Sequence, residues 1–293
     1  MPVRSLDIDG PIDVRATLRP KHLVRRERVA GTWWSGRSPD GAFSINFRKY
    51  GSRIEFEAWG PGAGWALEYA PDFVGASDKP QEFAPNHHLI DQLARRAPGM
   101  RMGASRLMWE ALFYAVIHQK VTGAGAGRSM RRLTFAVSEP APGPSGLMLM
   151  PSPERIAAMP YYDFHPFGIE KKRADSLREV ARRPRLLKRL SHESPEEADR
   201  ILQALPGIGI WTSAIVRGEA LGDPDAVPVG DYHVKNTVAW GLAGEPRGSD
   251  ERMLELLEPF RGHRLRVVRL LKSGGIGAPK YGPRSEIRSF ERQ

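Results

Sequence analysis

The residues best suited to chemistry in this chain are two glycines set two apart, Gly207 and Gly209, in the run LPGIGIWTSAIV at 205–216. Glycine allows a tight bend and leaves no side chain over the backbone. Just upstream, Ser194-Pro195-Glu196-Glu197 reads as a helix start. The serine caps, the proline suits the first helical position, and Glu197 completes a capping box. That helix should run from Pro195 to about Ala204 and stop at the glycines. A second, apolar helix should begin near Ile210. Amides left bare at its start, aided by the helix dipole, form a small anion site. One phosphate of a nucleic-acid strand fits such a site without any reading of base sequence. A glycine turn can also be plain packing. The basic balance of the chain favours the phosphate.

Two other spacings fall short. Gly123-Ala124-Gly125-Ala126-Gly127 superficially suggests a nucleotide loop, but it lacks the Lys-Ser/Thr ending and a preceding strand. It reads as close helix packing or a turn. His87 and His88 are adjacent, so they point in different directions and are not expected to be a metal pair. Charge is more informative. Lys plus Arg number 44 against 34 Asp plus Glu, a formal net charge of +10. Such an excess favours a polyanion, either nucleic acid or an anionic membrane surface. Residues 171–190 hold nine Lys or Arg and two acids, too one-sided for internal pairing, so phosphate contact is expected there. RGHRLRVVRLLK, 261–272, is a second such region. There is no cysteine, which excludes disulfides, Cys-ligated zinc and iron–sulfur clusters. No stretch approaches the roughly 18 apolar residues of a membrane span. The first residues, MPVRSLDIDGPIDVRATL, lack a secretory apolar core, so a cytoplasmic protein is expected.

These residues need a scaffold, and 293 residues suggest two or three domains. Residues 1–76 read as strands, with VRATL, GTWWSG, AFSINFRKY and RIEFEAWG broken by Gly, Pro and Asp. Ser38-Pro39-Asp40-Gly41 is a hairpin signal. The stretch DKPQEFAPNHH, 78–88, reads as a linker. From Ser105 the texture is helical, with Leu107, Ala111, Tyr114, Ala115 and His118 near one stripe. SEPAPGPSG, 138–146, reads as a loop. The expected class is α+β. An N-terminal antiparallel β-rich domain at 1–80 precedes a helical domain at 105–228 that carries the glycine bend. Residues 81–104 and 229–293 form a second helical subdomain.

Beyond the bend lies VPVGDYHVKNTVAWGL, and LPGIGIWTSAIV followed by this segment resembles the helix-hairpin-helix DNA glycosylases. GIEKKRADSL resembles that family's Gly…Lys-Arg-Ala…Leu helix. WEALFYAVIHQKVTGAGAGRSMRRL resembles its first bundle helices and the Gln-containing loop between them. The β-rich first 76 residues resemble the extra domain of the 3-methyladenine DNA glycosylase II and 8-oxoguanine glycosylase branches. The likeness spans most of the chain and is strongest over 105–271. It implies a mostly helical two-subdomain core with the cleft between the subdomains.

The resemblance also implies roles. Asp231 would be the catalytic aspartate, stabilising the positive charge that grows on deoxyribose as the base departs. A helix start would keep it ionised. Read alone, Asp231 is equally an N-cap worth about 1 kcal/mol. Two residues after the second hairpin glycine, bifunctional relatives carry a Schiff-base lysine. Here that position is Trp211, which implies a monofunctional enzyme that leaves an abasic site. The base must leave the stack to reach Asp231. Trp211 and Tyr232 are the first pocket candidates, and Tyr162, Phe164 and His165 in PYYDFHPFGIE are the second. Gly207, Ile208, Gly209 and Thr212 would meet the DNA backbone, with Lys172 and Arg173 from the basic helix. Gln119 would bond the orphaned partner base. Lys120 would take a phosphate, although the alkylation branch has an apolar wedge at that position. The implied partner is double-stranded DNA and the protein a monomer. No metal or cofactor is needed, and the hairpin could hold a structural monovalent cation. Alkylated purines are the expected lesions. The rivals are oxidised or deaminated purines, a non-catalytic DNA-binding protein, and a strand-cleaving lyase using Lys120 or Lys235.

Overall fold

Alternation on the first strands sets the architecture. A computed structural model describes residues 2–18, 24–25 and 30–279. In chain order the elements are β1 (Val3–Asp7), α1 (Val14–Leu18), β2 (Val24–Arg25), β3 (Thr32–Ser38), β4 (Gly41–Tyr50), β5 (Arg53–Trp59), α2 (Ala63–Glu68), α3 (Ala70–Phe73), α4 (His88–Arg96) and α5 (Met108–Ile117). There follow α6 (Gly123–Val137), β6 (Leu147–Met148), α7 (Pro153–Ala158), α8 (Lys171–Ala181), α9 (Pro184–Leu190), α10 (Pro195–Gln203), α11 (Ile210–Val216), α12 (Val234–Ala243), α13 (Asp250–Leu257) and α14 (Arg264–Ser273). Among the described residues, a four-stranded antiparallel sheet runs β1-β5-β4-β3. Ser38 faces Gly41 across the expected turn. On β5 the residues Ile54, Phe56 and Ala58 alternate inward, and with Phe43, Ile45 and Phe73 they form a buried cluster under α2 and α3. Each fully buried phenylalanine contributes roughly 2–3 kcal/mol of transfer free energy. A second apolar cluster gathers residues between Met108 and Ala220, and a third joins Ile90–Met102 to Ala226–Leu271. The class is therefore α+β, an antiparallel sheet followed by helices.

Four local readings change. VRATL is the helix α1, not a strand. Val14, Thr17 and Leu18 are its buried face, and the Asp13 carboxylate caps it by accepting the Ala16 amide at 2.9 Å. Residues 63–73 are likewise helical, because Ala66, Ala70 and Phe73 must cover the sheet. DKPQEFAPNHH is not a free linker, since Asp78 accepts from the Met102 amide and from the Arg266 guanidinium. The helix α5 is buried nearly all round rather than on one stripe. No helix among the described residues is long and apolar enough to cross a membrane. The Arg-rich tail, 280–293, lies outside the described residues.

Candidate active site

The bend is built as its composition requires. Ser194 Oγ accepts the Glu197 amide at 3.3 Å and starts α10. The Glu197 carboxylate turns to Arg200 at 2.8 Å and to Arg189 at 3.5 Å, so the reciprocal half of the capping box is not formed. Gly207 sits at φ +80°, and a Cβ there would stand 2.0 Å from Ser176 Oγ on α8. Gly209 has an extended conformation at φ −101°, and nothing lies within 4 Å of where its Cβ would be. One glycine makes the bend and lets α8 approach. The other leaves a bare backbone face at the start of α11. Ile208 and Thr212 are buried, so their side chains shape this bend from inside. The Gln119 side-chain amide donates to Gly207 O and to Thr212 Oγ1, both at 2.9 Å. Both of its hydrogens are thus spent on the bend, and it cannot also donate to an orphaned base.

Asp231 follows directly in space. Its Oδ1 accepts the amides of His233 and Val234, each at 2.9 Å, at the start of α12. Its Oδ2 accepts the indole N–H of Trp211 at 3.1 Å. Burial pushes the carboxyl up. The Trp211 N–H, the Val234 amide, the Lys272 charge and the His233 amide more than offset that and hold it below its ordinary value. Asp231 thus caps the start of α12 and is held there as a half-buried anion. Lys272, in the last turn of α14, was hidden within a basic run. Its only sequence signal is that position.

In both basic runs a share of the cations is paired with acids, contrary to the reading of their composition. On α8 and α9, Lys171 pairs with Asp175, Arg178 with Asp175, Arg183 with Glu179 and Arg189 with Glu193. In the second run Arg264 pairs with Asp225 and Arg266 with Asp78. Arg173 does not reach solvent. It is buried, donates to Ile117 O at 2.7 Å and Gly168 O at 3.0 Å, and pairs with Glu170, so no phosphate can reach it. Lys172 and Lys120 are exposed. Lys235 reaches Asp250 at 3.5 Å.

The aromatic candidates separate. Trp211 is half-buried beside the carboxylate, and Tyr232 is 75% exposed next to it, with His233 edge-on at 5.0 Å. Phe164 is fully buried in the helical core, where a base cannot enter, so it is part of the packing and not of a base pocket. Tyr162 and His165 are exposed on a 3₁₀ helix, Tyr161–Phe167, which packs on α6 and α8. Neither shares a hydrogen bond or ring contact with Asp231, Trp211 or Tyr232 among the described residues. The Gly123–Gly127 run is neither close packing nor a turn. It opens α6 under a Thr122 cap, with open space around Gly123 and Gly127.

A cation at the bend would have main-chain carbonyls as ligands. Leu205 O already accepts from Ile208 N, Gly207 O from Gln119 and Gly209 O from Ser213 N, each keeping a second lone pair. Among the described residues no cluster of three or more His, Asp or Glu is arranged for a metal ion. His87 bonds Leu242 O and His88 bonds Gln92.

No protein-family profile matches the chain. A curated relative, a putative DNA-3-methyladenine glycosylase of Bacillus subtilis, is 27% identical over 135 residues, 45% of this chain and 46% of the relative. The match thus spans about half of that relative's length. The solved structure of a 3-methyladenine DNA-glycosylase from Archaeoglobus fulgidus superposes with a TM-score of 0.73 at 20% identity, covering 92% of this chain and 97% of its own. An 8-oxoguanine glycosylase/lyase of Clostridium acetobutylicum, solved with double-stranded DNA, gives a TM-score of 0.68 at 12% identity, with 94% and 99% covered. The fold is shared across nearly the whole chain.

Proposed function

We propose that this chain, which has the fold of the helix-hairpin-helix DNA glycosylases, is a monofunctional glycosylase that releases alkylated purines from double-stranded DNA. The observation that carries this reading is Asp231, an ionised carboxylate fixed by three N–H donors beside a backbone bend with a bare outer face.

The chemistry needs little more. Breaking the bond between base and sugar leaves positive charge on the deoxyribose ring. A carboxylate already held in place stabilises that charge with no reorganisation, and it can orient the attacking water. The bare amides at Gly209 and Ile210 receive a backbone phosphate, which sets the strand's register without reading sequence. Trp211 stands where a lyase would carry its lysine, so no Schiff base forms there and the product is an abasic site. Trp211 and exposed Tyr232 offer electron-rich faces to a cationic, alkylated base. Exposed Lys172 adds a phosphate contact. The protein acts on DNA as a monomer and uses no cofactor in the reaction. A monovalent cation, if held by the bend carbonyls, would stiffen the bend.

The test is free-base release from duplexes containing 3-methyladenine, hypoxanthine or 8-oxoguanine, run beside Asp231→Asn. The wild type should release 3-methyladenine fastest. The Asp231→Asn variant should lose on the order of a hundredfold or more in rate while still binding DNA. Release of only the latter two bases would overturn the substrate assignment. An unchanged rate for Asp231→Asn would overturn the catalytic one. Borohydride should trap no covalent adduct.

A further inference from the structure

We infer that the groove between the sheet and the end of α4 is a second binding site, built for one nucleotide that ends in a phosphate monoester. The inference does not rest on the glycosylase reading, because none of the groove's residues belongs to the bend or to α12.

The groove has a volume of about 460 Å³, the scale of a small-molecule site. Residues 11–16 form one wall, with Thr32 at the start of β3 and Lys49 near the end of β4. Arg96 at the end of α4 and the loop to Met100 form the other. The walls are joined by the Asp13 amide, which donates to Gly99 O at 2.7 Å. Buried Ile12, Phe47 and Met100 make the floor apolar. Three cations, Arg15, Lys49 and Arg96, stand exposed around it.

These cations differ from those of α8 and α14, which carry acids. Arg15 Nε donates to Thr32 Oγ1 at 3.4 Å, and its two terminal nitrogens have no partner among the described residues. Lys49 Nζ donates to Ile12 O at 2.7 Å and keeps two N–H groups. Arg96 has no hydrogen bond or ion pair among the described residues, whereas its neighbour Arg95 is paired with Asp91. The one acid of the lining, Asp13, accepts the Ala16 amide through Oδ1 and pairs with none of the three. Unspent cationic donors around an apolar floor complement an anion that has an apolar body. A phosphate monoester carries about −1.5 to −2 charges at neutral pH and three acceptor oxygens, so it can engage two or three of these cations together. The nucleoside then covers the floor. A carboxylate brings one charge and leaves most of the donors unspent.

The test is isothermal titration with deoxyadenosine 5′-monophosphate, deoxyadenosine and inorganic phosphate at one ionic strength. The monophosphate should bind at least about tenfold more tightly than either fragment, the weight of one charge-assisted hydrogen bond. Arg15→Gln and Arg96→Gln should each weaken it about tenfold, with urea unfolding unchanged. A single-stranded oligonucleotide with a 5′-phosphate separates the two sources of this chemistry. Tighter binding than the monophosphate assigns the groove to a strand end, and no gain assigns it to a free nucleotide. Three results overturn the inference. The monophosphate fails to bind at millimolar concentration. Phosphate or deoxyadenosine alone binds as tightly. The affinity survives both substitutions, which places the nucleotide elsewhere.

Discussion

A lone carboxylate serves a cationic transition state only while it stays ionised. At Asp231 burial works against this, and the indole of Trp211 is the foremost group restoring it. Because the folded value lies below the ordinary one, the anion persists as pH falls toward that lowered value, and the stability it confers is lost progressively as pH drops from the ordinary value through the lowered one. Trp211→Phe keeps a ring in the pocket and removes the N–H. The acid limb of single-turnover base release should then move to higher pH, with a smaller loss at neutral pH than Asp231→Asn shows. A limb that stays in place would mean that the indole does not govern this ionisation. At this scale the sequence pointed to Asp231 and Trp211 through short-range motifs. It misplaced Arg173, Ile208 and Thr212, because a helix's inward side depends on neighbours far along the chain.

Between α10 and α11 the two glycines do different work, and each can be tested separately. Gly207→Ala places a methyl at φ +80° and against Ser176. It should destabilise the fold by about 2 kcal/mol or more, since left-handed backbone alone costs about 1–2 kcal/mol. Gly209→Ala meets open space and an ordinary backbone angle. It should cost at most about 1 kcal/mol of helix capping while weakening duplex binding. Urea unfolding and duplex titration of both variants decide the matter. Unchanged affinity in Gly209→Ala would remove the bare backbone from the DNA-binding account. The bend and the β3–β4 turn were legible because their geometry is dictated within a few residues. The basic runs were not. In the second run the acids come from elsewhere, as with Arg264 and Asp225 or Arg266 and Asp78, and a local charge count cannot register such partners, whereas in the first they stand three or four residues away.

Across the whole molecule, polar groups tie the apolar clusters together, and no pattern in the sequence announced them. Arg101 donates to the carbonyls of Asp9, Pro11, Gly75 and Asp78. Buried Arg266 meets Asp78 in the stretch that read as a linker. One joint between sheet and helices is Glu110 on α5, whose Oε1 accepts the Arg37 amide of β3 at 2.9 Å. Burial pushes its carboxyl up from 4.5 to about 7, with the Arg37 amide pulling part of the way back. The folded chain therefore holds this proton where the unfolded chain has released it. Stability falls as pH rises from 4.5 to about 7, by about 3 kcal/mol. Glu110→Gln keeps the acceptor for the Arg37 amide and carries no charge. Its stability relative to wild type should thus improve by about 3 kcal/mol between mildly acidic and mildly alkaline buffer, as read by urea unfolding at each pH. Base release should be unaffected, since Asp231 has its own donors. A gap between variant and wild type that does not change with pH would mean that Glu110 is ionised in the fold, and that the joint tolerates a buried charge.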